Sequence, residues 1–221
     1  MLVGERMTRH PIAIRPDTPI ADALRRMRQE NVRRFPVLDP DTRKLVGIVT
    51  EKELMYASPS PATSLSVHEL HYLLSKITVD QIMTTDLATV AEDTLIEEAA
   101  LIMIDRGIGA LPVMRNGQLV GIVTETDLFK TFIELFAARK EGVRLTLLVP
   151  DQKGQLVTIV QAIAGAGGHV IALGTFDGED VGSRLLTVKV VDAPRTVLIG
   201  KLQELGIEVV DARQCLQSLA C

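Results

Sequence analysis

The stretch Leu119–Leu128, LVGIVTETDL, decides the fold. It is an apolar, β-type run that ends at Thr124 and turns straight into a helix start at Glu125-Thr126-Asp127. Seven of its residues occur upstream in the same order as Leu45–Glu51, LVGIVTE, followed by Lys52-Glu53-Leu54. A verbatim echo in so short a chain indicates an internal duplication. The flanking residues keep one register. Met7-Thr8 matches Met83-Thr84, Asp17-Thr18 matches Asp93-Thr94, and Phe35-Pro36-Val37 matches Leu111-Pro112-Val113, each pair 76 positions apart. Gly47 and Gly121 stand 74 apart, so the turn before them is two residues shorter in the second copy. The first two-thirds of the chain is one unit written twice.

Composition narrows what such a chain does. Of 221 residues, 47% are apolar and 24% charged, the proportions of an ordinary globular protein with a sizeable core. The net charge of −4 gives no general attraction to nucleic acid or to an anionic membrane surface. With no Trp, two Tyr and five Phe, the stacking platforms of single-strand binding are missing. No apolar run reaches 18 residues and the N-terminus shows no cleavable signal, so the expectation is a cytoplasmic protein without a membrane span. Cys215 and Cys221, late and only two, fit incidental thiols better than a disulfide framework.

Read in order, the first copy predicts strand, helix, strand, turn, strand, helix. Asp17-Thr18-Pro19 opens a helix over Ile20–Asn31, with Ile20, Ala23, Leu24 and Met27 on its apolar face. Phe35–Leu38 and Leu45–Val49 are strands about a polar turn, and a helix follows Thr50. Ser58–Ser66 reads as a linker and Val67–Ile77 as an apolar-faced helix carrying His68 and His71. Those histidines, three apart, can share a metal, but no third ligand lies nearby, and surface or interface positions suit them better. In the second copy Thr94–Glu97 predicts a capping box, Asn116-Gly117 a tight hairpin and Glu125–Arg139 a long helix. After Glu141-Gly142 the pattern changes to strand Val143–Val149, helix Gln155–Ala166, strands His169–Phe176 and Ser183–Val191, helix Pro194–Leu205 and strand Ile207–Ala212. That β-α-β-β-α-β order predicts a ferredoxin-like sandwich. The expected divisions are 1–57, a connector 58–78, 79–141 and 142–221.

The strand-to-helix junctions carry the chemistry. A helix start leaves backbone N–H groups without intrahelical partners and is a ready anion site. Gly121 permits close approach, Thr124 adds a hydroxyl, and a carboxylate such as Asp127 suits two vicinal ribose hydroxyls. The competing reading is a plain capping box, which Thr50-Glu51-Lys52-Glu53 satisfies outright. Arg25, Arg26, Arg28, Arg33 and Arg34 form a basic cluster that either reaches a polyphosphate or makes a solvated, ion-paired face.

The doubled unit, with its MT…DT opening, x-Pro-Val strand and G-h-h-T-x-x-D junction, resembles a pair of CBS domains, a Bateman module, over Met7–Ala138. The resemblance implies two repeats in pseudo-two-fold symmetry around clefts for adenosine ligands: AMP, ADP, ATP, sometimes S-adenosylmethionine, in some families Mg²⁺. Carried over, Thr89 is the first-strand hydroxyl and Leu111, Pro112 and Val113 face the base. Thr124 then meets phosphate and Asp127 meets ribose, with Gly121 in the same nucleotide site allowing close approach. In the first copy Pro36 and Thr50 match, while Ala13 replaces the hydroxyl and Glu53 replaces the aspartate. One good site built mainly from the second copy is therefore expected.

The last eighty residues, with Asp151-Gln152-Lys153-Gly154-Gln155-Leu156 after a strand, resemble an ACT domain. That implies an amino-acid site at Asp151, Gly154, Gln155 and Leu156, completed by Ala172 and Leu173 on the second strand. The whole arrangement is similar to AcuB-type acetoin-utilisation proteins. The fold class expected is thus α/β (α+β): a CBS pair followed by a ferredoxin-like ACT domain. The function expected is regulatory and non-catalytic, since four scattered histidines form no base–nucleophile set and no P-loop is present. Such a homodimer would sense adenine nucleotide and an amino acid and act on a partner protein or enzyme. A Mg²⁺–nucleotide sensor and an empty assembly module are the alternatives.

Overall fold

A computed structural model of the chain describes residues 1–57, 76–178, 180 and 182–215. The predicted linker Ser58–Ser66, most of the helix predicted at 67–77, and His68, His71 and Cys221 lie outside the described residues. The chain divides into two compact units, Met1–Leu128 and Phe129–Cys221.

The first unit opens with a single turn α1 (Val3–Arg6) and a two-residue strand β1 (Thr8–Arg9). The first copy then supplies α2 (Ile20–Gln29), β2 (Arg34–Leu38), β3 (Leu45–Thr50) and α3 (Glu51–Ala57). The second supplies β4 (Val90–Ala91), α4 (Ile96–Arg106), β5 (Ala110–Arg115), β6 (Gln118–Thr124) and α5 (Glu125–Leu135). The apolar spacing of the two amphipathic helices is identical. Ile20, Ala23 and Met27 are buried on α2, and Ile96, Ala99 and Met103 on α4. Antiparallel hairpins β2–β3 and β5–β6 pair Val37 with Gly47 and Val113 with Gly121, each followed by a bulge at the same place. Asn116 and Gly117 close the second hairpin with φ of 52° and 77°, the left-handed pair that a two-residue turn requires.

Two local expectations change. Thr94 forms no capping box: Leu95 is the N-cap residue, without a side-chain bond, and the Thr94 hydroxyl accepts from the Ala91 N–H at 3.1 Å. The helix predicted to Arg139 ends at Leu135, and Ala137 takes φ +46°, which a continuing helix does not allow.

The lead-in segments exchange between copies. Thr8 and Arg9 of β1 pair antiparallel with Ile122 and Gly121 of β6, in the other copy. Reciprocally, Thr84 bridges Ile48 of β3. Leu2 bridges Leu95 at the start of α4, and Thr78 bridges Pro19 at the start of α2. The hydrophobic clusters follow the exchange: Val3 and Met7 pack with Val90, Ala99 and Val123, while Val79 packs with Ile20, Phe35 and Val49. Full burial of a side chain such as Val3 or Val79 is worth about 1.5–3 kcal/mol, so each arm is anchored in the copy it does not precede.

The second unit is built from β7 (Gly142–Pro150), α6 (Gln155–Gly165), β8 (His169–Asp177), β9 (Ser183–Val191), α7 (Arg195–Glu204) and β10 (Glu208–Cys215). The sheet order β10-β7-β9-β8, all antiparallel, is that of the predicted ferredoxin-like sandwich. One sheet face buries Leu145, Leu147, Val188 and Val190 against Ile159, Ile163, Leu198 and Leu202 of the two helices. Toward the other face, Phe136 packs over Gly174, where a Cβ would lie 2.7 Å from its ring, and stacks on Phe176 with centroids 6.2 Å apart. Lys189, 3% exposed, donates its Nζ to the Ala137 carbonyl at 2.9 Å.

Candidate functional site

Each copy ends its hairpin at a threonine that starts a helix, and each threonine is held by a carboxylate three residues on. Asp127 Oδ2 accepts from the Thr124 N–H at 3.0 Å and from its hydroxyl at 2.7 Å. Glu53 Oε2 accepts the equivalent pair from Thr50 at 2.7 and 2.8 Å, and the Thr50 hydroxyl accepts from the Glu53 N–H at 3.3 Å. The second oxygen, Glu53 Oε1, takes the Thr84 hydroxyl of the crossing arm at 2.8 Å. The longer side chain of Glu53 is thus committed to a complete capping box plus a bond to the exchanged segment.

The helix starts are less open than a bare helix end. Besides the bonds at Thr50 and Thr124, the Glu125 N–H donates to the Gly109 carbonyl at 3.2 Å and the Glu51 N–H to the Arg33 carbonyl at 2.8 Å. Three donors at the first start and two at the second are therefore satisfied internally.

Two clefts flank these junctions, and the arm exchange decides their membership. The larger, about 480 Å³, brings Thr124 and Glu125 of the second copy together with Thr8, His10, Arg33 and Pro36 of the first. The smaller, about 230 Å³, brings Thr50 and Glu53 together with Thr84, Asp86 and Pro112. Thr124 and Pro112, expected in one site, line different clefts, as do Thr50 and Pro36. In the duplicated register both clefts are the same construction: the junction of one copy faces the x-Pro strand and the arm of the other. Leu111 and Val113 point into the core, both fully buried. Thr89 is exposed and lines neither cleft, and Asp127 is buried at the helix start beside the larger one. Gly121 serves the fold: a Cβ there would lie 2.9 Å from Met7 Cγ, and Gly47 stands in the same relation to Met83.

Charge separates the clefts. Arg34 lines both; Arg33, His10 and one carboxylate, Glu125, belong to the larger, and two carboxylates, Glu53 and Asp86, to the smaller. Burial pushes the Arg34 guanidinium below its ordinary value, and Arg33 adds to that; the charges of Glu125 and Asp127 oppose it. Elsewhere in the basic cluster, Arg25 pairs with Asp22 at 2.6 Å and Arg26 lies over the Phe35 ring at 5.9 Å. Arg33 and Arg34 are therefore the members of the cluster placed to meet a ligand.

In the second unit, a cleft of about 150 Å³ is lined by Asp151, Gln155, Leu156, Thr175 and Arg184. Asp151 accepts from Arg184 Nε at 2.9 Å, and this bond raises the arginine above its usual value. Ala172 and Leu173 do not line the cleft; Ala172 is buried and Leu173 packs against the sheet core. Gly154 holds φ +87° as the N-cap residue of α6. Arg184 carries no motif, and only its register opposite Val149 brings it to Asp151. Among the described residues no group of three or more His, Cys, Asp or Glu is placed to hold a metal ion. No helix among them is long and apolar enough to cross a membrane.

A duplicated α/β unit with exchanged arms and a cleft at each junction defines a tandem-repeat module. The model of the CBS domain family matches residues 3–60 and 79–134, just over half of the chain, and the chain belongs to that family. A CBS domain-containing protein of Dictyostelium discoideum is 31% identical over 136 residues, 61% of this chain and 93% of that protein. The crystal structure of a Vibrio cholerae protein described as acetoin utilization protein AcuB is 30% identical, with a TM-score of 0.51. It covers 63% of this chain and 95% of its own. CBSX2 in complex with AMP is likewise 30% identical over 60% of this chain and 96% of its own, at a TM-score of 0.48.

Proposed function

We propose that this chain is a non-catalytic regulatory protein that binds an adenine nucleotide in the larger cleft. One observation carries the reading: Thr124, whose hydroxyl is held by the buried Asp127 one turn on, lines a 480 Å³ cleft that also holds Arg33, Arg34 and His10. Its volume lies within the roughly 300–1,000 Å³ of small-molecule sites, whereas the smaller cleft falls below that range. Guanidinium groups match phosphate oxygens, a buried carboxylate matches a ribose diol, and Pro36 and Ile122 offer apolar surface to a base. In this reading Thr124 meets phosphate and Asp127 ribose, and Pro36, expected beside Thr50, serves the base in the cleft of Thr124 instead. The smaller cleft, with Thr50 and Pro112, is the weaker site.

In the same reading, residues 142–221 are an ACT-like module and the 150 Å³ cleft takes a small amino acid. Asp151 meets its ammonium group and Arg184, released from that aspartate, its carboxylate. The module works as a homodimer in an AcuB-like setting, and its output is a partner protein or enzyme.

Thermal unfolding of the full chain with AMP, ADP, ATP and S-adenosylmethionine tests the nucleotide site. A ligand at 100 times its Kd stabilises by about 2.7 kcal/mol, which moves the transition by several degrees. An adenine-nucleotide shift that Asp127→Ala abolishes supports the reading. The absence of a shift with all four ligands overturns it and leaves Thr124 and Asp127 as helix caps.

A further inference from the structure

We propose that Arg34 selects for phosphate in the larger cleft and, because the same guanidinium lines both clefts, that a phosphate held in one weakens phosphate binding in the other. This rests on the adenine-nucleotide reading above. The first observation is an asymmetry in the duplication. Arg33-Arg34 corresponds, 76 positions on, to Gly109-Ala110, so the arginines of both clefts come from the first copy, and Arg34 is common to the two. Arg34 starts β2, half-buried, where the strand passes between the clefts, and it lines both.

The second observation is where the guanidinium rests. A Cβ built on Gly109 would lie 2.6 Å from Glu125 Oε2 and 3.3 Å from Arg34 Nη1, so carboxylate and guanidinium converge above that glycine. Glu125 is the leading attractive charge on Arg34. A phosphate entering the larger cleft competes with this carboxylate for the charge of the same guanidinium. A guanidinium turned to pair two parallel N–H groups with a phosphate in one cleft leaves fewer donors for a phosphate in the other. Its one charge is then already matched, and the two phosphates repel across it. Arg33 adds to the pull of the larger cleft, while Glu53 and Asp86 oppose an anion in the smaller. The larger cleft therefore takes the arginine first. By linkage, each phosphate lowers the affinity for the other by the same factor.

Isothermal titration of the full chain with AMP and, separately, adenosine tests this, since only AMP presents a phosphate. In the wild type the two AMP steps are expected to lie at least about tenfold further apart than the two adenosine steps. Arg34→Gln brings the two separations together and lowers AMP affinity about tenfold or more, leaving adenosine within twofold. Glu125→Gln, which removes the competing carboxylate and leaves the strand intact, raises AMP affinity and not adenosine affinity. Equal losses of AMP and adenosine in Arg34→Gln, or equal separations in the wild type, overturn the proposal and leave the nucleotide reading standing. A single adenosine step overturns the sharing of Arg34 between sites. No binding of either compound removes the nucleotide reading and this proposal together.

Discussion

The two carboxylates that close the junctions show how one methylene separates two roles at the residue scale. Glu53 gives both oxygens to protein donors, three bonds in all, and ties helix α3 to the arm that crosses at Thr84. Removing it as Glu53→Ala is expected to cost about 1–2 kcal/mol in urea denaturation, the range for losing a cap, with the tighter AMP step, that of the larger cleft, unchanged. Asp127 holds Thr124 through one oxygen, and an amide oxygen can accept the same two bonds. Asp127→Asn is therefore expected to keep stability within about 0.5 kcal/mol of wild type and to weaken AMP at least about tenfold. A stability loss as large as that of Glu53→Ala, with AMP binding intact, would show that Asp127 is only a cap. The Thr50–Glu53 box was legible in the sequence because capping is local, a matter of four residues. The Thr94 box was not formed because Leu95 takes the cap position and the Thr94 side chain turns back to Ala91, a choice that spacing alone does not encode.

The arms show what elements do when they leave the copy they precede. The 76-residue register identified Met7-Thr8 and Met83-Thr84 as equivalents, and it is silent on which sheet each joins, because pairing is a long-range property. The hint in the sequence was the pair of glycines, Gly47 and Gly121, each in a strand otherwise rich in β-branched residues. Each marks the place where a methionine of the opposite arm crosses. Gly121→Ala is expected to destabilise by about 1–3 kcal/mol through overpacking against Met7, and Met7→Ala by about 2–5 kcal/mol through a cavity. In the double variant the clash is gone, so its loss should fall short of the sum by about 1 kcal/mol or more in a double-mutant cycle. Strict additivity would mean that Met7 does not pack on that glycine. The exchange also explains why the clefts mix copies. A site assembled from one repeat by motif matching put Thr124 with Pro112; the crossing segments put Thr124 with Pro36 and Thr50 with Pro112.

For the whole molecule, the useful fact is that the chain forms two compact units with separate hydrophobic cores. The topology of the second was readable from element order, since β-α-β-β-α-β with short turns leaves few ways to bury one sheet face. Its charged cleft was only half readable: Asp151 follows a strand in a recognisable motif, whereas Arg184 arrives by cross-strand register. The buried Lys189 was not marked at all, being one polar residue in the alternating run Leu185–Val191. It is held by a carbonyl at Ala137, past the end of α5, and its charge has almost no contact with water. Lys189→Met keeps the length of the side chain and leaves that carbonyl without this donor. The expected loss is about 1–3 kcal/mol. Separate cores give this loss a place to appear. Calorimetry of the full chain should resolve two transitions, of which saturating AMP raises only the one belonging to residues 1–128, by an increment that grows with the logarithm of its concentration. Lys189→Met should lower only the other. If both transitions moved together, under AMP or in the variant, the two units would unfold as one cooperative block, and any amino acid bound at Asp151 and Arg184 would be felt directly in the stability of the proposed nucleotide site.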